Sequence, residues 1–308
     1  MQTIANSFKN LFLPRSIQHH QYFEAVLGTT LDLRLEAATF SLAQRAEEAI
    51  LEEIERLELI FSRYLPNSEL NRFLAGLGKP LPELELVLQT ALEWQNKSGG
   101  AFHLGADALG QLWKRAEATG VRPDLFPILE QLQRPWLTIQ AILDSGLGIN
   151  LNAIAKGFIA DGAAQKALAN AQEVLVNLGG DLVHRGVKPI QVSIANPYSS
   201  ADNAKPLEQI QICNQGLATS GKTHRGYQFP NGQVSHLLDP RTGQPVQNTL
   251  AVSVLAPNAM TADVLATILS VLEPKAGLEF ANTLPQIGCC IVGQNQIYRN
   301  AFWDAYRI

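Results

Sequence analysis

Few residues of this 308-residue chain have types and spacings that could do chemistry, and they lie far apart. In MTADVLATILSVL, Asp263 and Thr267 stand four apart on a predicted helix, and residues at that spacing share a face. A carboxylate beside a hydroxyl is oxygen-only ligation, suited to a hard cation such as Mg²⁺ that keeps water or phosphate ligands. An aspartate early in a helix is also favoured by the helix dipole alone, so the pair leaves both readings open. INLNAIAKG puts Lys156 and Gly157 at a strand-to-helix junction. There, backbone N–H groups and a cation can meet an anion, or a solvated lysine simply neighbours a packing glycine. SHLLDPRTGQP sets His236 among leucines and then turns, with Pro240 fixed near φ of about −65° and Gly243 free to take φ > 0. In a regular strand His236 and Asp239 face opposite sides, so they form no obvious dyad. The histidine is then a hydrogen-bonded core residue or a lone base. Gly179-Gly180-Asp181 in NLGGD offers a hairpin turn or close approach of a flat ligand, and SGGAF (98–102) reads as a helix end.

A complete GxGxxG and HExxH do not occur, which leaves Rossmann and zincin readings without support. With 46% hydrophobic and 17% charged residues the chain is globular, long enough for one large domain or two smaller ones. A net charge of −4, from 24 basic and 28 acidic residues, carries no footprint for nucleic acid. Cys213, Cys289 and Cys290 have neither disulfide nor zinc spacing and read as buried strand thiols. No apolar run reaches membrane-spanning length, and the first residues show neither a signal-peptide core nor a lipid-attachment cysteine. The expectation is a soluble, cytoplasmic protein.

Positioning such residues requires a frame, and the periodicities supply one. Residues 22–36 read as one half-buried strand, with Leu31, Leu33 and Leu35 on one face. Residues 41–64 read as an amphipathic helix stopped before Pro66, and 82–97 as a second helix ended by Gly99-Gly100. Three prolines in 120–136 suggest a surface connection between short helices. From 149 a strand end leads into an Ala-rich helix, and strands then dominate: EVLVNLGGDLVHRG, PIQVSIAN, LEQIQICN, QVSHLLD and LAVSVLA. A helix over about 260–273 and two closing strands, IGCCIVG and QIYRNAF, follow. Without regular βαβ alternation the class is α+β, with mixed helices and largely antiparallel sheets. We expect residues 1–20 as an N-terminal extension and 21–308 as a single, two-lobed domain.

Taken in order, the motifs resemble the FAD:protein FMN transferase family, called ApbE. The resemblance runs over about residues 22–293 through VLGTT, FSRYLPNSEL, SGGAF, NLNAIAKG, NLGGD, LATSGKTHRG, SHLLDPRTGQPV and APNAMTADVLAT. It implies transfer of the FMN half of FAD onto a threonine hydroxyl of an acceptor protein, with Mg²⁺ and release of AMP. It further implies Asp263, Thr267 and the main-chain carbonyl of Ala153 as metal ligands. Leu27, Tyr64, Ala101, Phe102, His103, Asn150, Lys156 and Leu237 would lie near FAD, and His236 would be the base for the acceptor threonine. Asn150 and His103 stand where the family has Asp, Asn152 where it has Gly or Ser, and Leu74 where it has Asn. The alternatives are an FAD pyrophosphatase, with water in place of threonine, and an FAD-binding protein without chemistry.

Overall fold

The structure is a computed structural model that describes residues 16–136, 138–199, 204–221, 226–229 and 232–308. Its frame is an eight-stranded sheet in the order β1 (Ile17–Val26), β2 (Thr29–Ala37), β3 (Glu173–Leu178), β4 (Asp181–Arg185), β7 (Gly216–Gly221), β10 (Thr249–Ala256), β11 (Gly288–Gly293) and β12 (Ile297–Arg299). Every neighbouring pair is antiparallel. Two smaller antiparallel pairs join β5 (Ile190–Ile194) to β6 (Glu208–Ile212) and β8 (Gly226–Phe229) to β9 (Gly232–Ser235). The helices are α1 (Phe40–Phe61), α2 (Glu69–Leu74), α3 (Pro82–Lys97), α4 (Asp107–Thr119), α5 (Phe126–Leu132), α6 (Ile139–Asp144), α7 (Ala155–Ala167), α8 (Ala259–Val271), α9 (Pro274–Asn282) and α10 (Ala301–Asp304). The α+β expectation holds.

Alternation decides which face each strand buries. Leu31, Leu33 and Leu35 point into a core shared with α1, α3, α7 and α8, while Asp32 and Arg34 pair with each other on the opposite face. That opposite face is covered toward β4, β7 and β10 by β5, β6 and the buried Trp303 of α10. Each fully buried large apolar side chain stabilises this arrangement by about 1.5–3 kcal/mol.

Several boundaries differ from the sequence reading, each for a local reason. Residues 22–36 form parts of two strands, because Leu27 (φ 52°) and Gly28 (φ 72°) turn the chain left-handed between β1 and β2. β1 itself starts at Ile17, inside the stretch expected as an extension, and residues 1–15 lie outside the described residues. Helix α1 stops at Phe61 because the Ser62 hydroxyl accepts the N–H groups of Tyr64 and Leu65, a local alternative to helix continuation. Residues 149–154 are a loop rather than a strand end: Asn150 Oδ1 accepts the Asn152 N–H at 2.8 Å, and Leu151 O accepts from Ile154 and Ala155. Strand β9 ends at Ser235, one residue before His236, and QIYRNAF passes from β12 into α10 at the Asn300 cap. Cys289 and Cys290 are buried in β11, whereas Cys213 lies just past β6. Residues 222–225 of LATSGKTHRG lie outside the described residues.

Candidate functional site

Three turns gather at one end of the large sheet. Leu27-Gly28 joins β1 to β2, Gly179-Gly180 joins β3 to β4, and the chain leaves β7 at Gly221 and re-enters β10 at Thr249. Gly179 (φ 63°) and Gly180 (φ 99°) make the tight turn that the sequence allowed. A Cβ on Gly179 would sit 2.3 Å from the Thr29 hydroxyl, so the turns carrying Leu27 and Asp181 are in direct contact. His236 belongs to the excursion between β7 and β10.

Asp181 opens β4 on the helix-covered face, and its buried carboxylate is paired with the Lys156 ammonium from the first turn of α7. The same ammonium lies 3.6 Å from Asp263 Oδ2 on α8. Gly157 N–H donates to that oxygen at 3.3 Å. Two buried carboxylates therefore share one lysine. Burial and the charge of Asp181 push the Asp263 carboxyl up to about 7, against the pull of Lys156 and Gly157 N–H. Burial also raises Asp181, against the pull of Lys156. Burial works against the Lys156 ammonium, but the charges of Asp263 and Asp181 outweigh it and hold its pKa above the ordinary lysine value. The anion met at the start of α7 is thus the protein's own carboxylate.

These helices come close because their sequences permit it. A Cβ on Gly157 would lie 2.4 Å from Ala259 O, and one on Gly216 would lie 2.3 Å from Ala259 N. Asp161 of α7 accepts the Ala259 and Met260 N–H groups at 3.0 and 2.9 Å and pairs with Arg185, while Asn258 accepts from Thr261. The first N–H groups of α8 are accordingly taken by protein acceptors.

The donor set fits a hard cation. With both aspartates ionised against a single ammonium, the pocket keeps excess negative charge away from water. The half-buried Thr267 adds a hydroxyl one turn further along α8, and Ala153 lies in the turn entering α7, four residues before Gly157. Among the described residues no group of three or more His, Cys, Asp or Glu is placed to hold a metal. A cation here would complete its shell from hydroxyl, main-chain and phosphate oxygens.

The remaining predicted residues fall into two groups. Tyr64 is 77% exposed, with the Arg63 guanidinium 5.7 Å from its ring centroid. Its loop is held by the Asn71 amide, which donates to Arg63 O and Leu65 O. Arg63 pairs with Asp107 at 2.6 Å, and Asp107 accepts from Asn150 Nδ2 at 3.2 Å, so Tyr64 and Asn150 share a network. Burial opposes the ionised Asp107, but its bonds from Arg63, Gln111 and Asn150 bring its pKa below the usual carboxylate value. Ala101, Phe102 and His103 are buried. His103 Nδ1 accepts the Gly105 N–H at 3.0 Å, Nε2 has no close hydrogen-bond partner among the described residues, and the ring stands edge-on to Trp136. His103, Gly99, Gly100, Trp136, Pro240 and Arg241 help line a cavity of about 280 Å³. That cavity brings the SGGAF segment against the turn that follows His236. His236 and Leu237 are half-buried, and Leu237 O accepts the Val246 N–H at 2.8 Å, closing the loop over residues 239–243.

Asp107 and Asp161 escaped the sequence reading, and so did the role of Asp181 as the partner of Lys156. Each is a common residue type with partners 24 to 99 positions away in the chain; for example Asp107 meets Asn150, and Asp161 meets Arg185 and Met260. NLGGD was visible as a motif, but its acid was legible only as part of a turn.

Fold and site define a class: an antiparallel α+β protein in which two helices and a hairpin turn converge on a lysine bridging two buried carboxylates. Residues 27–291 match the ApbE family, and the chain belongs to it. It is 31% identical over 284 residues to the FAD:protein FMN transferase of Haemophilus influenzae, covering 83% of this chain and 81% of that protein. The FAD:protein FMN transferase of Treponema pallidum is 29% identical, over 90% of this chain and 85% of the other. Among solved structures, the ApbE protein of Thermotoga maritima superposes with a TM-score of 0.78 at 23% identity, over 95% of this chain and 100% of that one. The flavin transferase ApbE from Vibrio cholerae gives 0.70 at 22% identity, over 94% and 99%. These structural likenesses establish the shared fold.

Proposed function

We propose that the protein is an Mg²⁺-dependent FAD:protein FMN transferase that joins FMN through a phosphoester to a threonine of an acceptor protein. The observation that carries this reading is the buried Asp181–Lys156–Asp263 cluster at the mouth of the sheet, in a member of the ApbE family. The threonine oxygen bonds to the phosphorus of the FMN half, and the bond from that phosphorus to the AMP oxygen breaks. The threonine proton passes to the His236 imidazole, and AMP departs with the bonding electron pair. Neutral imidazole is suited to this task near pH 7, and general-base assistance contributes about 10² to 10⁴ in rate. Asp263, Thr267 and the Ala153 carbonyl would hold Mg²⁺, which when bound would supply charge neutralisation for the pyrophosphate.

The chain's own groups do the rest. Lys156 adds fixed positive charge beside the phosphates, and Asp181 anchors it. Leu27, Tyr64, Ala101, Phe102, His103, Asn150 and Leu237 border the flavin nucleotide, with Tyr64 offering an aromatic face at the surface. Asn150 is neutral, but a carboxylate stands one hydrogen bond away on Asp107.

The test is to incubate the protein with FAD, Mg²⁺ and a threonine-bearing acceptor domain and to weigh the acceptor by mass spectrometry. The expected result is an FMN adduct with the wild type and none with His236→Ala, which still binds FAD. Free FMN plus AMP without adduct would instead identify a pyrophosphatase. Saturable FAD binding without either product would identify a binder.

A further inference from the structure

His236 stands between two anchors, and both are attached to α4. Upstream, the Tyr227 and Phe229 rings of β8 lie 6.1 and 5.9 Å from the Trp113 indole, the second edge-on. Tyr227 Oη donates to Gly110 O at 3.4 Å, and the Gln228 N–H donates to Glu117 Oε1 at 2.6 Å. β8 pairs with β9 in the register Gly226 to Ser235, which fixes the residue just before the histidine. Downstream, Trp113 Nε1–H donates to Gly243 O at 2.8 Å. Gly243 (φ 69°) is pressed so closely that a Cβ there would lie 3.0 Å from Leu125 and 3.3 Å from Leu109. Its N–H donates to Asp239 O at 2.7 Å, closing the turn.

β8 and β9 form a pair of four-residue strands that is not part of the large sheet. An isolated two-stranded hairpin is marginal in water, so packing must order this one. Trp113, itself 6% exposed, touches both sides of the histidine: its ring meets β8 and its N–H meets the turn. We infer that Trp113 is a positioning residue for His236, aiming the imidazole from α4 through the β8–β9 pair before it and the turn after it. This rests on the reading of His236 as the base.

The test compares Trp113→Phe, which keeps a ring and removes the N–H, with Trp113→Leu, which removes both contacts. A misplacement of about 1 Å at a catalytic group costs on the order of 100-fold, so kcat should fall about 10-fold in the first and about 100-fold in the second. KM for FAD should stay within about twofold in both, since a displaced base leaves ground-state binding intact. In protein carrying ¹³C-labelled histidine, the His236 ring signal, assigned by its loss in His236→Ala, should shift or broaden in Trp113→Phe. Should a Trp113 variant fail to fold, Phe229→Leu, which loosens only the upstream anchor, must show the same loss of kcat at constant KM. If His236→Ala keeps full turnover, the base assignment falls and takes this inference with it. If His236→Ala is inactive while the Trp113 variants keep wild-type kcat and an unchanged His236 signal, the base assignment stands and the role of Trp113 is refuted.

Discussion

A methyl group added at Gly157 would wedge apart the two helices that bring Lys156 and Asp263 together. The Cβ of Gly157→Ala would lie 2.4 Å from Ala259 O and 2.6 Å from Met260 Cα, backbone atoms with no rotamer to yield. Even close C–H···O contacts need about 3.3 Å, so the helices must separate locally by about 0.9 Å. Overpacking of this kind costs about 1–3 kcal/mol, and the better helix propensity of alanine returns up to about 1 kcal/mol. The melting temperature should fall by about 2–6 °C. The larger effect is functional, because the Gly157 N–H to Asp263 Oδ2 distance, now 3.3 Å, would pass out of hydrogen-bond range. Titrating FMN transfer with Mg²⁺ should then show roughly a 10-fold higher requirement and a comparable loss of kcat. Gly162→Ala on the same helix is the control, since its Cβ would meet Leu57 Cδ1 at 3.2 Å and Glu53 Oε1 at 3.5 Å, side-chain atoms that can move. If both variants behave alike, or if Gly157→Ala keeps the wild-type Mg²⁺ requirement, the helix contact does not set the site's geometry.

Burial holds the His103 imidazole down at about 4, against an ordinary value of 6.5. The unfolded chain therefore takes up a proton that the folded state refuses: this contribution is intact above about pH 6.5 and is lost as pH falls through 4, amounting to about 3 kcal/mol. Urea midpoints of wild type and His103→Asn should differ in pH dependence across that window, and parallel curves would contradict the burial argument. Asp161→Ala removes the acceptor for two α8 N–H groups and the partner of Arg185; it should cost about 2–4 kcal/mol in thermal or urea unfolding, and Asp161→Asn less. Lys156→Met leaves Asp181 and Asp263 buried without their ammonium and should cost about 3–5 kcal/mol. Carboxyls whose folded pKa is raised weigh least when protonated, so that loss should grow from about pH 5 to pH 8 and shrink when Mg²⁺ is added.

Much of the frame was legible in the sequence because period and punctuation are local signals. The Leu31–Leu33–Leu35 alternation, the heptad-like face of α1 and the two glycines before Asp181 each specify a conformation within a few residues. Boundaries failed where a side chain competes with the backbone ladder, as Ser62 does after α1 and Asn150 does before α7. The chemistry was legible only in part. Asp263, Lys156 and His236 stood out by type and company, yet the sharing of one lysine by two acids depends on β4 and α8 meeting α7. No periodicity encodes that meeting. Trp113 read as an ordinary helix residue because its partner, the Gly243 carbonyl, lies 130 positions away.

The connectivity of the sheet also bears on when the site can exist. Lys156 and Asp181 are synthesised well before Asp263, and Asp161 waits for the N–H groups of Ala259 and Met260 to satisfy it. β4 gains its second sheet neighbour only with β7, and β7 gains its own with β10. A nascent chain stopped before α8 therefore holds Asp181 and Lys156 without Asp263 and with no pocket around them. Such non-local closure comes late in folding. Whatever binds between Lys156, Asp181 and Asp263 meets the finished fold, and does not serve as a template around which the first half of the chain assembles.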